Sequence, residues 1–288
     1  ATYGGNDVAN YTITNQASTT ADITAKALTI TGLAAVDKVY DGTSTATVSN
    51  TGVVKTGLIA GDELTVNATG NFRNAGNTAN DKNVGANKAV VLSTTYGGSD
   101  VGNYTITDQT ASTASITPKA LTISGITAAN KQYNGNTTAP VITAGVTNAV
   151  LVNGGLVNGD VLTVNATGNF RNSGNTANDK NVGTNKAVAL ITTYGGADVG
   201  NYTITDQTAG TASITAKALT ISGITAASRD YDGTANATVT TSGALFSGLV
   251  SGDALTIATS SGTFADKNVG TGKTVTLTTT YGGADRNN

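Results

Sequence analysis

DKNVGANKAVVLSTTYGGSDVGNYTIT, from Asp81 to Thr107, decides the reading of the fold, because the chain carries it again as DKNVGTNKAVALITTYGGADVGNYTIT from Asp179 to Thr205. A third copy, DKNVGTGKTVTLTTTYGGAD, runs from Asp266 to Asp285, and TYGGNDVANYTIT, from Thr2 to Thr14, is the back half of a fourth. The tyrosines of the YGG motif are Tyr3, Tyr96, Tyr194 and Tyr281, spaced by 93, 98 and 87 residues. That period is far longer than one rung of a β-solenoid and close to one small β-domain. Segments 61–127 and 159–225 differ at only eight positions, so identity between these two copies proves little. The third copy has diverged further and is the informative one.

Its divergence sets the strand register. In KAVVLSTTY, KAVALITTY and KTVTLTTTY the set Val90/Val188/Val275, Leu92/Leu190/Leu277 and Tyr96/Tyr194/Tyr281 stays fixed. The alternating set changes freely: Val91/Ala189/Thr276 and Ser93/Ile191/Thr278. Successive strand residues point to opposite faces, so the fixed set faces a core and the free set faces solvent. In DELTVNATGNF the same logic turns Leu64, Val66 and Phe72 inward. Glu63 points outward and is replaced by Val161 or Ala254.

One unit reads as strands near 27–31, 44–49, 63–67, 88–96, 103–107 and 113–117, rich in Thr, Val and Ile and separated by Gly, Asn and Asp. No helical period is sustained. The expectation is all-β: tandem, Ig-like sandwich repeats of short antiparallel strands in an elongated array, with a β-grasp-like repeat as the alternative. Cut at KALT, the repeats are 26–118, 119–216 and a truncated 217–288, with 1–25 as the C-terminal part of a preceding repeat. The passage Ser115–Ile116–Thr117–Pro118–Lys119–Ala120 holds no Ser/Gly linker, so consecutive units are expected to join closely, as a semi-rigid rod.

Composition limits the chemistry. The 288 residues carry a net charge of −2, 12% charged side chains and no Cys, Met, His or Trp. A charge near zero gives no field for nucleic acid or anionic lipid. Without Cys or His, disulfides, thiolate chemistry, the usual zinc sites and His-based triads are unavailable. No apolar run approaches the ~20 residues of a membrane span. No signal peptide opens the sequence, which begins inside a repeat and reads as a piece of a longer protein. No nucleophile–base pair, phosphate loop or paired-carboxylate motif argues for an enzyme.

The pattern KALTI…YDG…GDxLTV…DKNVG…YGGxDxxNYTIT…ASITxKALTI resembles the YDG/MBG-type repeats of large bacterial surface adhesins, including filamentous-haemagglutinin-like exoproteins. The carrying residues are Tyr40-Asp41-Gly42, Tyr133-Asn134-Gly135 and Tyr231-Asp232-Gly233, with Lys26, Lys119 and Lys217 opening the units. The resemblance implies an extracellular or bacterial cell-surface location, tandem all-β units, and a stalk, filament or biofilm-matrix role with self-association.

Candidate sites follow from the recurring polar residues. Asp41 and Asp232 are matched by Asn134, which a catalytic carboxylate would not tolerate. With Gly42, Gly135 and Gly233 they are read as turns. Asp62, Asp81, Asp100, Asp160, Asp179 and Asp198 recur and are the calcium candidates, although no DxDxDG loop accompanies them. Lys82/Lys180/Lys267 and Lys88/Lys186/Lys273 sit in Asn-rich sequence and are read as solvated; Lys–Asn crosslinks would need an apolar setting. The rival to a structural role is a binding module for glycan, calcium or ice, with 136–158 and 234–250 as its variable segments. Finally, 3–10 (YGGNDVAN) matches 281–288 (YGGADRNN). If units begin at KALT, residues 1–25 of one molecule are expected to be able to complete 217–288 of another by strand addition; the alternatives are units that close at the YGG turn, giving three nearly complete domains, and an arbitrary sector of a longer array.

Overall fold

The computed structural model describes residues 1–144, 146 and 155–288 and divides into two compact units, 1–118 and 119–288. Part of the variable segment 136–158 lies outside the described residues.

In the first unit, residues 1–25 form a single 3-10 turn at Val8–Asn10 and no strand. The repeat that follows has ten strands: β1 (Lys26–Thr31), β2 (Ala34–Ala35), β3 (Lys38–Val39), β4 (Thr45–Ala46), β5 (Val48–Ser49), β6 (Val54–Thr56), β7 (Thr65–Phe72), β8 (Gly85–Gly97), β9 (Tyr104–Thr107) and β10 (Ala111–Thr117). They pair as a three-stranded sheet, β6-β1-β9, and a five-stranded sheet, β3-β10-β8-β7-β4, with β2-β5 as a small third pair.

The all-β, repeated architecture holds, with one amendment to the antiparallel expectation. β1 runs parallel to β9, and β3 parallel to β10. A parallel pair needs a long crossover, and here most of the repeat lies between the two strands of each pair. The first strands are thus closed by the last ones.

The alternation follows the fixed and free sets at Val90, Leu92, Val188 and Leu190, but Tyr96 and Tyr194 at the end of the fixed set are only half-buried, and in the last repeat Leu277 and Tyr281 are exposed. Phe72 and Val90 are fully buried, with Leu64, Val66 and Leu92 beside them, while Val91 is exposed. Ile116 of β10 and Leu28 and Ile30 of β1 complete the core. Burying such side chains contributes about 1.5–3 kcal/mol each, which is what holds a unit this small.

The second unit repeats this plan. β11 (Lys119–Thr122), β12 (Thr127–Ala128), β13 (Lys131–Gln132), β14 (Thr138–Ala139), β15 (Val141–Ile142), β16 (Thr163–Phe170), β17 (Gly183–Gly195), β18 (Tyr202–Thr205) and β19 (Ala209–Thr215) form one repeat. Its main sheet, β13-β19-β17-β16-β14, keeps the order of the first, and β11 again lies parallel to β18. The last repeat has β20 (Thr220–Ser222), β21 (Thr225–Ala226), β22 (Asn236–Ala237), β23 (Val239–Thr240), β24 (Leu245–Ser247), β25 (Thr256–Phe264) and β26 (Val275–Gly282). Its main sheet has three strands, β22-β25-β26, and β20 pairs with β24 alone. Among the described residues, no apolar side chain from 217–288 belongs to the buried core.

A bulge interrupts β8 and β17, where Asn87 (φ 49°) and Asn185 (φ 48°) take the left-handed conformation. The third repeat has Gly272 (φ 62°) there, and the Asn/Gly exchange follows from that backbone.

Candidate functional site

The YDG triplets are side-chain-stabilised turns. Gly42, Gly135 and Gly233 carry the positive φ, at 80°, 79° and 80°. The preceding residue works through its side chain. Asp41 Oδ1 accepts the Thr43 N–H at 2.9 Å and the Lys38 ammonium at 2.7 Å. Asn134 Oδ1 accepts the Asn136 N–H at 3.3 Å and Lys131 at 2.9 Å. Asp232 Oδ1 accepts the Thr234 N–H at 2.8 Å and pairs with Arg229. An amide oxygen accepts these bonds as a carboxylate oxygen does, so Asn replaces Asp without losing the turn.

The GD and YGGxD loops are stapled to each other. Asp100 Oδ2 accepts the Glu63 N–H at 2.9 Å, Asp198 the Val161 N–H at 3.0 Å, and Asp285 the Ala254 N–H at 3.0 Å. The second glycine of each YGG makes this approach feasible. At Gly98, φ is 111° and a Cβ would stand 2.2 Å from the Glu63 carbonyl oxygen. Next to the staple, the Tyr104 hydroxyl donates to Asp62 and accepts the Ile59 N–H at 3.0 Å. Tyr202 does the same with Asp160, at 2.7 Å, and with the Val157 N–H, at 2.9 Å.

The DKNVG loops hold ion pairs. Asp81 pairs with Lys88, Asp179 with Lys186 and Asp266 with Lys273. Burial works against ionised Asp81 and Asp179, but the lysine and the N–H two residues on outweigh it, and both carboxyls lie below the usual range. The solvated reading of Lys88 and Lys186 is corrected: both side chains are 10% exposed. They lie along the bulged strand against Gly85 and Gly183, which leave room for their methylenes.

The six acidic positions therefore sit in three separate structural settings: staple, tyrosine acceptor and ion pair. No three His, Cys, Asp or Glu side chains gather in a metal-like cluster among the described residues.

The arrangement with most to say about function lies within the second unit, where the repeat 119–216 meets the repeat 217–288. Lys180 Nζ stands 2.8 Å from Asp253 Oδ1 and 3.1 Å from Asp285 Oδ1. The Tyr133 hydroxyl donates to the same Asp253 oxygen at 2.9 Å, and its ring centroid is 5.7 Å from Lys180 Nζ. Asn288 ties the edge: its Oδ1 accepts the Val182 N–H, its Nδ2 donates to Asn181, and its carbonyl accepts the Lys217 N–H.

Electrostatics follow from this geometry. Asp253, then Tyr133 and Asp285, hold Lys180 above the usual ammonium range. The Ala254 N–H and Lys180 hold Asp285 below the usual carboxylate range. The cation between these two recurrent carboxylates is an ammonium, so Lys180 too is not a solvated side chain. Lys82 stacks in the same way on buried Tyr40, 5.7 Å from its centroid. Tyr231, their counterpart in the last repeat, is 60% exposed.

Sequence reasoning passed over Gln109 and Gln207. Gln109 accepts the Leu33 N–H at 2.9 Å and donates to the Leu33 carbonyl at 2.7 Å. Gln207 makes the same pair with Ile126, at 3.0 and 2.7 Å. The signal was available: Gln16, Gln109 and Gln207 recur at one place in the repeat. Arg73 and Arg171 were also missed. Each folds its guanidinium back onto its own Asn-rich loop, with bonds of 2.6 Å to Asn80 and 2.7 Å to Asn178.

Fold and site together define a class: tandem all-β repeats whose recurrent polar residues work on loops and, within the second unit, at a joint between repeats. The YDG domain family matches residues 24–112, 117–209 and 215–288, and the chain belongs to that family. No curated protein matches the sequence. Among solved structures, FdeC, an Escherichia coli adhesin, aligns at 13% identity over 92% of this chain and 94% of that chain. Its TM-score is 0.19, a likeness too low to carry an argument.

Proposed function

We propose that this chain is a structural repeat region of an adhesin-like bacterial surface protein, spacing other parts of that protein away from the cell. Membership of the YDG family and the resemblance of its repeats to adhesin repeats support the class. The observation that carries the spacer role is the Tyr133–Lys180–Asp253–Asp285 joint. A flexible tether needs no partly buried, charge-paired contact between neighbours, whereas a stiff spacer does. Asp285 is held by the Ala254 N–H of its own repeat, and the Lys180 ammonium lies over the Tyr133 ring of its own repeat, before the two repeats meet. The joint therefore forms with little further ordering of side chains.

The chain has no cysteine, so a spin-label pair can be introduced cleanly at Ser173 and Thr278, both exposed. Pulsed electron resonance should give one narrow distance distribution, broadened in Lys180→Ala. A distribution that is broad in the parent chain and unchanged by Lys180→Ala sinks the spacer reading.

A further inference from the structure

The second YDG turn keeps the cation of its sister turns and lacks their carboxylate. Lys38 pairs with Asp41, and Arg229 pairs with Asp232. In the repeat 119–216 the same places hold Lys131 and Asn134. The Lys131 ammonium lies 2.9 Å from Asn134 Oδ1, 2.7 Å from both the carbonyl and Oδ1 of Asn136, and 3.0 Å from the Thr138 carbonyl. All four acceptors are neutral, and no carboxylate pairs with Lys131 among the described residues. Burial pushes this ammonium below its usual range.

Asn134 is exposed and is followed by Gly135, so no side chain shields the peptide nitrogen next to its amide. Asn134 Oδ1 accepts the Asn136 N–H at 3.3 Å, which folds the side chain over the Gly135 peptide. One turn therefore holds a backbone nitrogen, an amide carbonyl carbon and a fixed ammonium on the carbonyl oxygen. These are the parts of an intramolecular acyl transfer, with the cation placed where negative charge develops.

We propose that Asn134 is a self-modifying site, at which Lys131 directs conversion of the asparagine to the aspartate found in the sister turns. The Gly135 nitrogen gives its proton to water and bonds Asn134 Cγ. The carbonyl electron pair moves to Oδ1, where Lys131 stabilises the oxyanion. Its return breaks the Cγ–Nδ2 bond, and Nδ2 takes a proton from water and leaves as ammonia. Water then opens the resulting cyclic imide. Addition at Cγ releases the Gly135 nitrogen to the original backbone and gives aspartate. Addition at the main-chain carbonyl gives isoaspartate, with an extra carbon in the backbone. Lys131 polarises the Cγ carbonyl and so steers water to it. The sum consumes a water and releases an ammonia, with nothing oxidised or reduced.

Packing within the second unit points the same way. Gly135 lies against the neighbouring repeat, where a Cβ would stand 2.8 Å from Val250 Cγ1. Tyr133, the residue before the turn, donates to Asp253 across the same joint. A backbone lengthened by isoaspartate would have to shift these contacts, whereas aspartate fits the turn as Asp41 and Asp232 do. The new carboxylate supplies the counter-ion that Lys131 lacks. The turn beside the joint thus acquires its ion pair only after folding.

The chain carries its own control. Asn158–Gly159 is the same dipeptide in the same repeat; it is exposed, Gly159 has φ 91°, and no lysine or arginine bonds its amide among the described residues. The folded 288-residue chain is incubated at neutral pH, and peptide mapping with fragment ions follows the amide-to-acid mass change at Asn134 and Asn158. Asn134 should convert about tenfold faster, less than an oxyanion donor is worth in a dry site. Aspartate should exceed isoaspartate there. In denaturant the two rates should converge. Lys131→Gln should remove most of the difference and Lys131→Arg should keep it, with hydrogen-exchange protection of β16 and β17 showing that each variant is folded. Equal rates at the two sites in the folded chain overturn the proposal. So does a difference that survives Lys131→Gln or denaturant, or isoaspartate as the main product of the folded chain.

Discussion

The same phenylalanine occurs in all three repeats, and its removal should cost different amounts. Phe72 and Phe170 are 0% exposed, whereas Phe264 is only half-buried. Lys38, Lys131 and Arg229 cap the three rings at 5.6, 5.4 and 5.5 Å, so the cation contact is matched across the series. What differs is closure of the core by the strand carrying Ile116 or Ile214. Phe→Ala in a closed core costs about 3–5 kcal/mol through lost transfer energy and the cavity left behind. In the last repeat Phe264 is already partly exposed, no sealed cavity forms, and roughly half that cost is expected. Hydrogen exchange followed by mass spectrometry reads each repeat separately. Opening of β7 should accelerate by two to four orders of magnitude in Phe72→Ala, at about 1.4 kcal/mol per tenfold, up to the ceiling set by global unfolding. Phe170→Ala should match it in β16, and β25 in Phe264→Ala should accelerate by only one to two orders. Equal acceleration in all three would refute the claim that the last repeat has an open core.

Other expectations concern loops and joint. Gly196→Ala forces a Cβ to 2.2 Å from the Val161 carbonyl oxygen at φ 109°, so the staple must open; a loss of at least about 1–3 kcal/mol is expected in denaturant unfolding, against near neutrality at exposed Gly200. Gln207→Ala leaves the Ile126 N–H and carbonyl without their side-chain partner, which should cost about 1–3 kcal/mol, with exchange of the Ile126 amide as the local readout. The joint should be pH-sensitive at both extremes. Asp285 is depressed below 3.8, so its contribution is present above that value and lost as pH falls through its folded value. Lys180 is raised above 10.5, so its contribution is complete below that value and lost as pH rises through its folded value. The spin-label distribution should thus be narrow near neutrality and broaden in strong acid and strong alkali. Calcium and chelator should leave the melting temperature unchanged, because the recurrent aspartates already hold N–H groups, hydroxyls and ammonium groups.

The longer strands and their core faces were legible because they rest on a period-two pattern that a diverged copy exposes directly, whereas β2, β3 and β6, two or three residues each, are too short to show one. Val91 and Ser93 are matched by Thr276 and Thr278 on an exposed face, while Val90 and Leu92, which are buried, are matched by Val275 and Leu277. Pairing direction was not legible. Nothing in KALTI or NYTIT marks them as parallel neighbours, since that depends on a crossover of most of the repeat. The polar residues were visible as recurrent but not as to role. Asp62, Asp81 and Asp100 look alike in sequence, yet one accepts a tyrosine hydroxyl, one holds a lysine and one staples a neighbouring loop.

That difference explains why a repeat with so little charge can keep so many aspartates. In a core built from Leu, Ile, Val, Phe and Tyr, apolar packing specifies which face is inside but says little about how one end of a repeat meets the next. Loop ends are polar by necessity, because their backbone groups cannot all be paired in sheets. The staple turns this to use: Asp285 spends one oxygen on the Ala254 N–H and presents the other to Lys180. Through that carboxylate, the conformation of one repeat's loops is linked to the neighbour it accepts. Asp285→Asn should keep the staple through its amide oxygen, but it loses the charge that Lys180 reads. It should therefore loosen the joint while leaving exchange of the Ala254 amide slow, whereas Asp285→Ala should affect both.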